Sequence, residues 1–181
     1  RHQRVDVRIA DLNVLTREAD RMLRRLVGAD IVIETELHAD PLLVRAGAGQ
    51  VEQVLMNLTV NARDAMPEGG IIRVSSRPVA LESAEAEGLG LPAGAYAELR
   101  VTDTGVGMPA EVVEHVFDPF FTTKAPGAGT GLGLAVCYGI ARQAGGAITV
   151  QSAPGSGSTF RMLLPLAESA MESPASAEPS P

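Results

Sequence analysis

The chain has 181 residues, 45% of them apolar and 20% charged, and carries a net charge of −7. That length suits one domain with short appendages and a full core, while the negative charge and the lack of Trp argue against non-specific nucleic-acid binding. One cysteine, Cys137, excludes an internal disulfide framework, and no stretch approaches the ~20 apolar residues of a membrane span or forms a signal peptide.

In chain order, Val5, Val7 and Ile9 alternate in "RVDVRI", which predicts a first strand. Residues 11–27 have apolar positions at Leu12, Leu15, Ala19, Met22 and Leu26, a helical spacing, with Asp11 as N-cap and Gly28 as stop. Arg17, Arg21, Arg24 and Arg25 on that helix suit a solvated face or a docking patch. "DIVIETEL" and "PLLVR" read as strands, and a long helix follows from Gln50 to Met66, closed by "PEGG". "GIIRVSSRPVAL" and "AYAELRVTD" read as adjacent strands joined by a loop rich in Glu, Ala and Gly. Residues 104–130 are loop-like, with one short helix near 109–115, and a further helix runs from Gly131 to Gln143. Cys137 falls in this apolar run and suits a buried, inert thiol. "AITVQSAP" and "GSTFRMLLP" form a final hairpin across "GSG". Residues 167–181, rich in Ala, Ser, Pro and Glu without periodicity, read as a disordered tail or linker. The chain begins at Arg1 rather than Met, as an excised piece of a longer protein would.

The long helix carries an unusual polar face. At about 100° per residue, Asn57, Asn61 and Asp64 fall within roughly a 60° arc, about 120° from the apolar stripe of Val51, Leu55, Leu58, Ala62 and Ala65. A purely solvated face predicts Lys, Glu and Arg there, not two amides, because Asn and Asp are weak helix formers. Further on, "DTGVGM" (103–108) follows a strand. Its glycines allow close backbone approach to a flat ligand and its carboxylate can accept from an exocyclic amine, although a plain turn explains the motif equally well. "FDPFF" (117–121) suits an anchored loop or the hinge of a mobile segment. "TTKAPGAGTGLGL" (122–134) combines a lysine, glycines and a helix start, where backbone N–H groups bind phosphate. It is neither a Walker P-loop nor a Rossmann loop.

These four motifs, in this order and spacing, resemble the N, G1, F and G2 boxes of the ATP-binding catalytic domain of sensor histidine kinases. That domain belongs to the GHKL superfamily shared with type II topoisomerases, heat-shock chaperone ATPases and mismatch-repair ATPases. The resemblance covers residues 5–166, and "NARDAM" with "FDPFFTTK" is most similar to the nitrogen-sensor and hybrid-kinase branch. It implies a Bergerat fold: a two-layer α/β sandwich, with a mixed sheet, helices on one face and a flexible ATP lid. It implies ATP and Mg2+ as ligands, with Asn61 coordinating the metal, and Asn57, Asn61 and Lys124 as the catalytic set. The nucleotide site carried over is Asn57, Asn61, Asp64 and Ala65; Asp103, Gly105, Gly107 and Met108; Phe121, Thr123 and Lys124; Gly129, Thr130, Gly131, Leu132 and Gly133; and Ser158. Within it, the resemblance makes Asp103 the reader of the adenine amino group, and Lys124 with the amides of 129–133 the cradle of the β- and γ-phosphates.

One position separates the activities within that superfamily. Its mechanical ATPases carry a water-activating Glu four residues before the metal asparagine, where this chain has Asn57. An amide cannot be a general base. Transfer to a neutral imidazole needs less help, since it is already a nucleophile and the step is mostly positioning and charge neutralisation. The acceptor motif His-Glu or His-Asp is missing, because His2 precedes Gln3, His38 precedes Ala39 and His115 precedes Val116. The resemblance therefore implies a catalytic domain that phosphorylates a histidine on a separate dimerisation and phosphoacceptor domain of the same full-length protein. A receiver domain or response regulator follows in the relay. The same resemblance implies a cytoplasmic, monomeric isolated domain, with any membrane anchor outside this chain. The alternative is a nucleotide-binding regulatory module without kinase activity.

Overall fold

The structure, a computed structural model, describes residues 6–167. Chain entry is set by one carboxylate. Strand β1 (Arg8–Asp11) runs directly into helix α1 (Leu12–Val27), and Asp11 Oδ1 accepts from Asn13 N–H at 2.9 Å as the N-cap and from Leu42 N–H at 3.0 Å. The first strand thus starts later than the alternation of Val5, Val7 and Ile9 predicts. Residues 1–5 lie outside the described residues, and Val7 and Ile9 are exposed. The strand joins no large sheet: it pairs antiparallel with β3 (Leu43–Ala46) in a two-stranded ladder.

The main sheet contains β2 (Ile31–Glu36), β4 (Gly70–Leu81), β5 (Gly94–Asp103), β6 (Ala147–Ser152) and β7 (Ser158–Pro165), in the order β2-β4-β5-β7-β6. Only β2 and β4 pair in parallel, so the sheet is mixed, as expected. Side chains alternate along each strand. Ile33, Ile72, Val74, Leu99, Val101, Phe160 and Met162 form one buried face, covered by α1, α2 (Ala48–Asp64) and α5 (Gly133–Gln143). On α2 the predicted stripe of Val51, Leu55, Leu58 and Ala62 is buried. Cys137 is buried on α5, and burial pushes its thiol up to about 12, so it is inert at neutral pH.

The segment between β4 and β5, expected to be a loop, contains helix α3 (Ser83–Leu89). Ala86 packs with Leu81, Tyr96 and Leu163 in a separate small cluster. Leu163 alternates with Met162 and Leu164 of the main core, which puts α3 on the opposite face of the sheet from the other helices. Packing of Ala86 and Leu89 therefore holds a helix too short to stand alone, although its Ala and Glu favour one.

Around the middle of β5 that outer face is polar, whereas its β2 edge carries the exposed Val32 beside Ile71. Glu98, 1% exposed, lies among Arg77, Arg100 and Arg161, and these cations outweigh its burial and hold its carboxyl below the ordinary range. Between β5 and α5 stands only the short helix α4 (Ala110–Val113). At the C-terminal end, Leu166 bridges Val44 and Ala167 N–H donates to Leu43 O at 2.7 Å. The remainder of the 167–181 tail lies outside the described residues. Among the described residues no helix is long and apolar enough to cross a membrane.

Candidate nucleotide site

The C-terminal half of α2, the loop after β5 and the segment before α5 surround a cavity of about 740 Å³, within the size range of small-molecule sites. The α2 wall is the polar face read from the sequence, since Asn57, Asn61, Asp64 and Ala65 all line the cavity. Their roles diverge. Asn57 donates from Nδ2 to Gly133 O at 3.0 Å, tying α2 to the first turn of α5. The Asn61 side chain has no hydrogen-bond partner among the described residues and is half-buried at the cavity wall.

At one end of the cavity is Asp103, the last residue of β5 and only 5% exposed. Burial raises its pKa, against the pull of the Gly105 and Ser158 backbone N–H groups. Gly105 N–H reaches Asp103 Oδ1 at 2.8 Å. The loop that follows is stitched on both sides: Val106 N–H donates to Ala65 O at 3.0 Å, Gly155 N–H to Val106 O at 2.7 Å, and Met108 N–H to Ser152 Oγ at 2.8 Å. Gly107 has φ +69° and lies so close to the β6–β7 turn that a Cβ there would stand 1.9 Å from Ala153 O. Ser152 Oγ also meets Gly157 O at 2.9 Å and Ser158 Oγ at 2.8 Å, which makes it the hub of this end.

The other end is walled by residues 121–131, most of them exposed. Phe120 N–H donates to Gly131 O at 2.9 Å and closes the neck of this loop. Both neck residues have positive φ, 68° at each; Phe120 is non-glycine there and 74% exposed, a strained arrangement of the kind found at mobile functional segments. A Cβ at Gly131 would stand 2.5 Å from the Phe120 carbonyl carbon. Inside the loop, hydrogen bonds are local: Lys124 N–H to Thr122 Oγ1 at 3.1 Å, and Ala128 N–H to Ala125 O at 2.9 Å. Its link to the helical wall is the ion pair of Lys124 Nζ with Asp64 Oδ2. Asp64 also accepts from Arg63 at 3.1 Å. Partial burial works to raise its pKa, but the two cations outweigh it and hold the carboxyl below the ordinary range.

The cavity thus brings together residues separated by more than a hundred positions, from Asn57 to Ser158. Two expected site residues do not line it. Gly105 sits behind Asp103 against Ala65, and Leu132 is the N-cap position of α5, its N–H donating to Thr130 Oγ1 at 3.3 Å. Residues 47–168 match the family of histidine kinase-, DNA gyrase B- and HSP90-like ATPases. The chain belongs to that family.

Within it, the chain is 46% identical over 166 residues to the sensor kinase CckA of Brucella abortus (strain 2308), covering 91% of this chain and 18% of that protein. The chain therefore spans only a minor part of the curated relatives it matches. Its fold resembles the catalytic domain of histidine kinase ThkA, with a TM-score of 0.67, 30% identity, and coverage of 89% and 96% of the two chains. It is similar also to the mycobacterial sensor histidine kinase MprB, with a TM-score of 0.70, 25% identity, and coverage of 88% and 97%. In this ATPase family member, sequence reasoning missed Arg63, Ser152 and Thr122. Ser152 had a usable signal, because it faces Ser158 across a Gly-Ser-Gly turn. Arg63 had no such signal, since it lies about 100° around the helix from Asp64 and off the polar arc.

Proposed function

We propose that the chain binds ATP with magnesium in this cavity and donates the γ-phosphoryl group to a histidine of a separate dimerisation and phosphoacceptor domain. A receiver domain or response regulator takes the phosphoryl group onward. The observation that carries the reading is the polarity of the cavity: a buried carboxylate acceptor at one end, and an amide, a lysine and a glycine-rich loop at the other.

Each role follows from an atom on the wall. Asp103 presents an acceptor for the adenine amino group in a buried setting, where an unmet partner is costly. Lys124 and the N–H groups of the loop up to Gly133 offer positive ends to phosphates. Asn61 fits a magnesium ion that arrives with its nucleotide. Its amide oxygen is a hard neutral ligand, and among the described residues no group of three His, Cys, Asp or Glu could hold a metal alone. When bound, magnesium neutralises phosphate charge. Asn57 is committed to Gly133 O and has no carboxylate, so this position supplies no base for hydrolysis, whereas an incoming imidazole needs none.

The chain should bind ATP with magnesium as a monomer and hydrolyse it very slowly, as suits a cytoplasmic signalling domain that supplies its partner rather than water. Calorimetry tests this: Asn61→Ala should remove most of the magnesium-dependent affinity, and unchanged binding would sink the metal assignment. Adding the phosphoacceptor domain of the same full-length protein should give phosphohistidine, whereas nucleotide binding without any transfer would favour a regulatory module.

A further inference from the structure

Arg63 is the penultimate residue of α2 and stands outside the sites read from the sequence. Its guanidinium spans two elements. Nη1 donates to Leu26 O in the last turn of α1 at 3.0 Å, while Nε and Nη2 reach Asp64 Oδ1 at 3.2 and 3.1 Å. The other carboxylate oxygen of Asp64 holds Lys124. One carboxylate is thus shared by two cations, one fixed to the helical layer and one on the loop that walls the cavity. The Leu26 carbonyl lies at a helix C-terminus, where the backbone dipole favours a cation.

We propose that Arg63 is a positioning residue for phosphate binding: it neutralises Asp64, so that the Lys124 ammonium can leave that carboxylate for a phosphate oxygen. The inference rests on the ATP reading above. Asp64 occupies the place of an anion beside Lys124, and any phosphate arriving there competes with it. Arg63 weakens that competition in two ways. It takes one oxygen of Asp64, and it leaves the cluster of Arg63, Asp64 and Lys124 with one net positive charge. Without Arg63 the cluster is neutral, Lys124 is the sole cation of Asp64, and an incoming triphosphate meets an unshared carboxylate.

The test is calorimetry of the chain in magnesium buffer with two probes, ATP and adenosine. Arg63→Met keeps length and helix propensity and removes the charge. It should weaken ATP binding about tenfold, the scale of a lost charge-assisted hydrogen bond, and leave adenosine binding unchanged. Removing the carboxylate as well, in Arg63→Met with Asp64→Asn, should restore most of the ATP affinity, because nothing is left to neutralise. ATP affinity equal to the parent in Arg63→Met overturns the inference. So does a parallel loss of ATP and adenosine, which marks a merely structural residue, and so does a double variant no better than the single one. A parent chain that binds neither probe overturns the ATP reading itself, a result these variants cannot imitate.

Discussion

The two ends of the cavity are built on opposite principles. The loop of residues 103–108 is fastened to α2 by Val106 and to the β6–β7 hairpin by Gly155 and Ser152, and its key carboxylate is buried. The loop of residues 121–130 is exposed, closed at its neck by one backbone hydrogen bond, and joined to α2 through the Lys124–Asp64 pair. These bonds fix the geometry of the first end, which is what the proposed reading of a flat polar edge by Asp103 needs. The second has little packing beyond Phe121 on His115, ring centroids 5.7 Å apart, which suits a segment that opens for exchange and orders around phosphates.

The largest effect should come from forcing atoms into the fastened end. Gly107→Ala places a methyl against the Ala153 carbonyl in a left-handed backbone, and should cost on the order of 3 kcal/mol or more in denaturant unfolding. A near-neutral result would mean that this end is not rigid. Next in size, Asp103→Ala should erase about 1–3 kcal/mol of preference for adenine over guanine nucleotides. Equal discrimination before and after the change would remove Asp103 as the base reader.

Acidification should separate the two ends by sign. The Asp103 pKa is raised by burial, so as pH falls this group takes up its proton first and becomes a weaker acceptor, with one oxygen turned into a donor. The Asp64 pKa is lowered, so its pairing with Lys124 is present above the unfolded value and is lost only as pH falls through the folded one. Between neutrality and about pH 4, adenosine affinity should therefore decline while the Lys124–Asp64 tether persists. Titration by calorimetry alongside exchange protection of the lid checks the order, and loss of the tether first would reverse it. The smallest effect belongs to the lid: Gly127→Ala meets no atom within 4 Å and carries only the strain of φ +83°, about 1 kcal/mol. Exchange protection over 122–130 should be low without nucleotide and rise with an ATP analogue, and equal protection in both states would count against a lid.

Much of this was legible in advance for a local reason. The stripe of Val51, Leu55, Leu58 and Ala62 and the polar arc of Asn57, Asn61 and Asp64 lie on one helix, where a 3.6-residue period assigns each face without reference to the rest of the chain. Asp103 was readable for a similar reason, as a carboxylate at a strand end followed by glycines. Helix α3 was overlooked although its Ala and Glu favour a helix and Gly90 caps it. Its seven residues are too few to show a periodic apolar face, and the packing of Ala86 and Leu89 that holds it is tertiary. The first strand was displaced because its partner is β3, more than thirty residues on, and pairing register is a property of both strands.

Sequence by itself determined the order of motifs, the helix faces, the strands of the mixed sheet and the choice of an amide at position 57. Tertiary structure alone decided which atoms those residues touch: that Asn57 bonds Gly133, that Ser152 braces the loop at Met108, and that Asp64 stands between Arg63 and Lys124. A periodic pattern records which side of an element avoids water. A hydrogen bond between groups 60 or 76 positions apart depends on distances that only the packed chain sets.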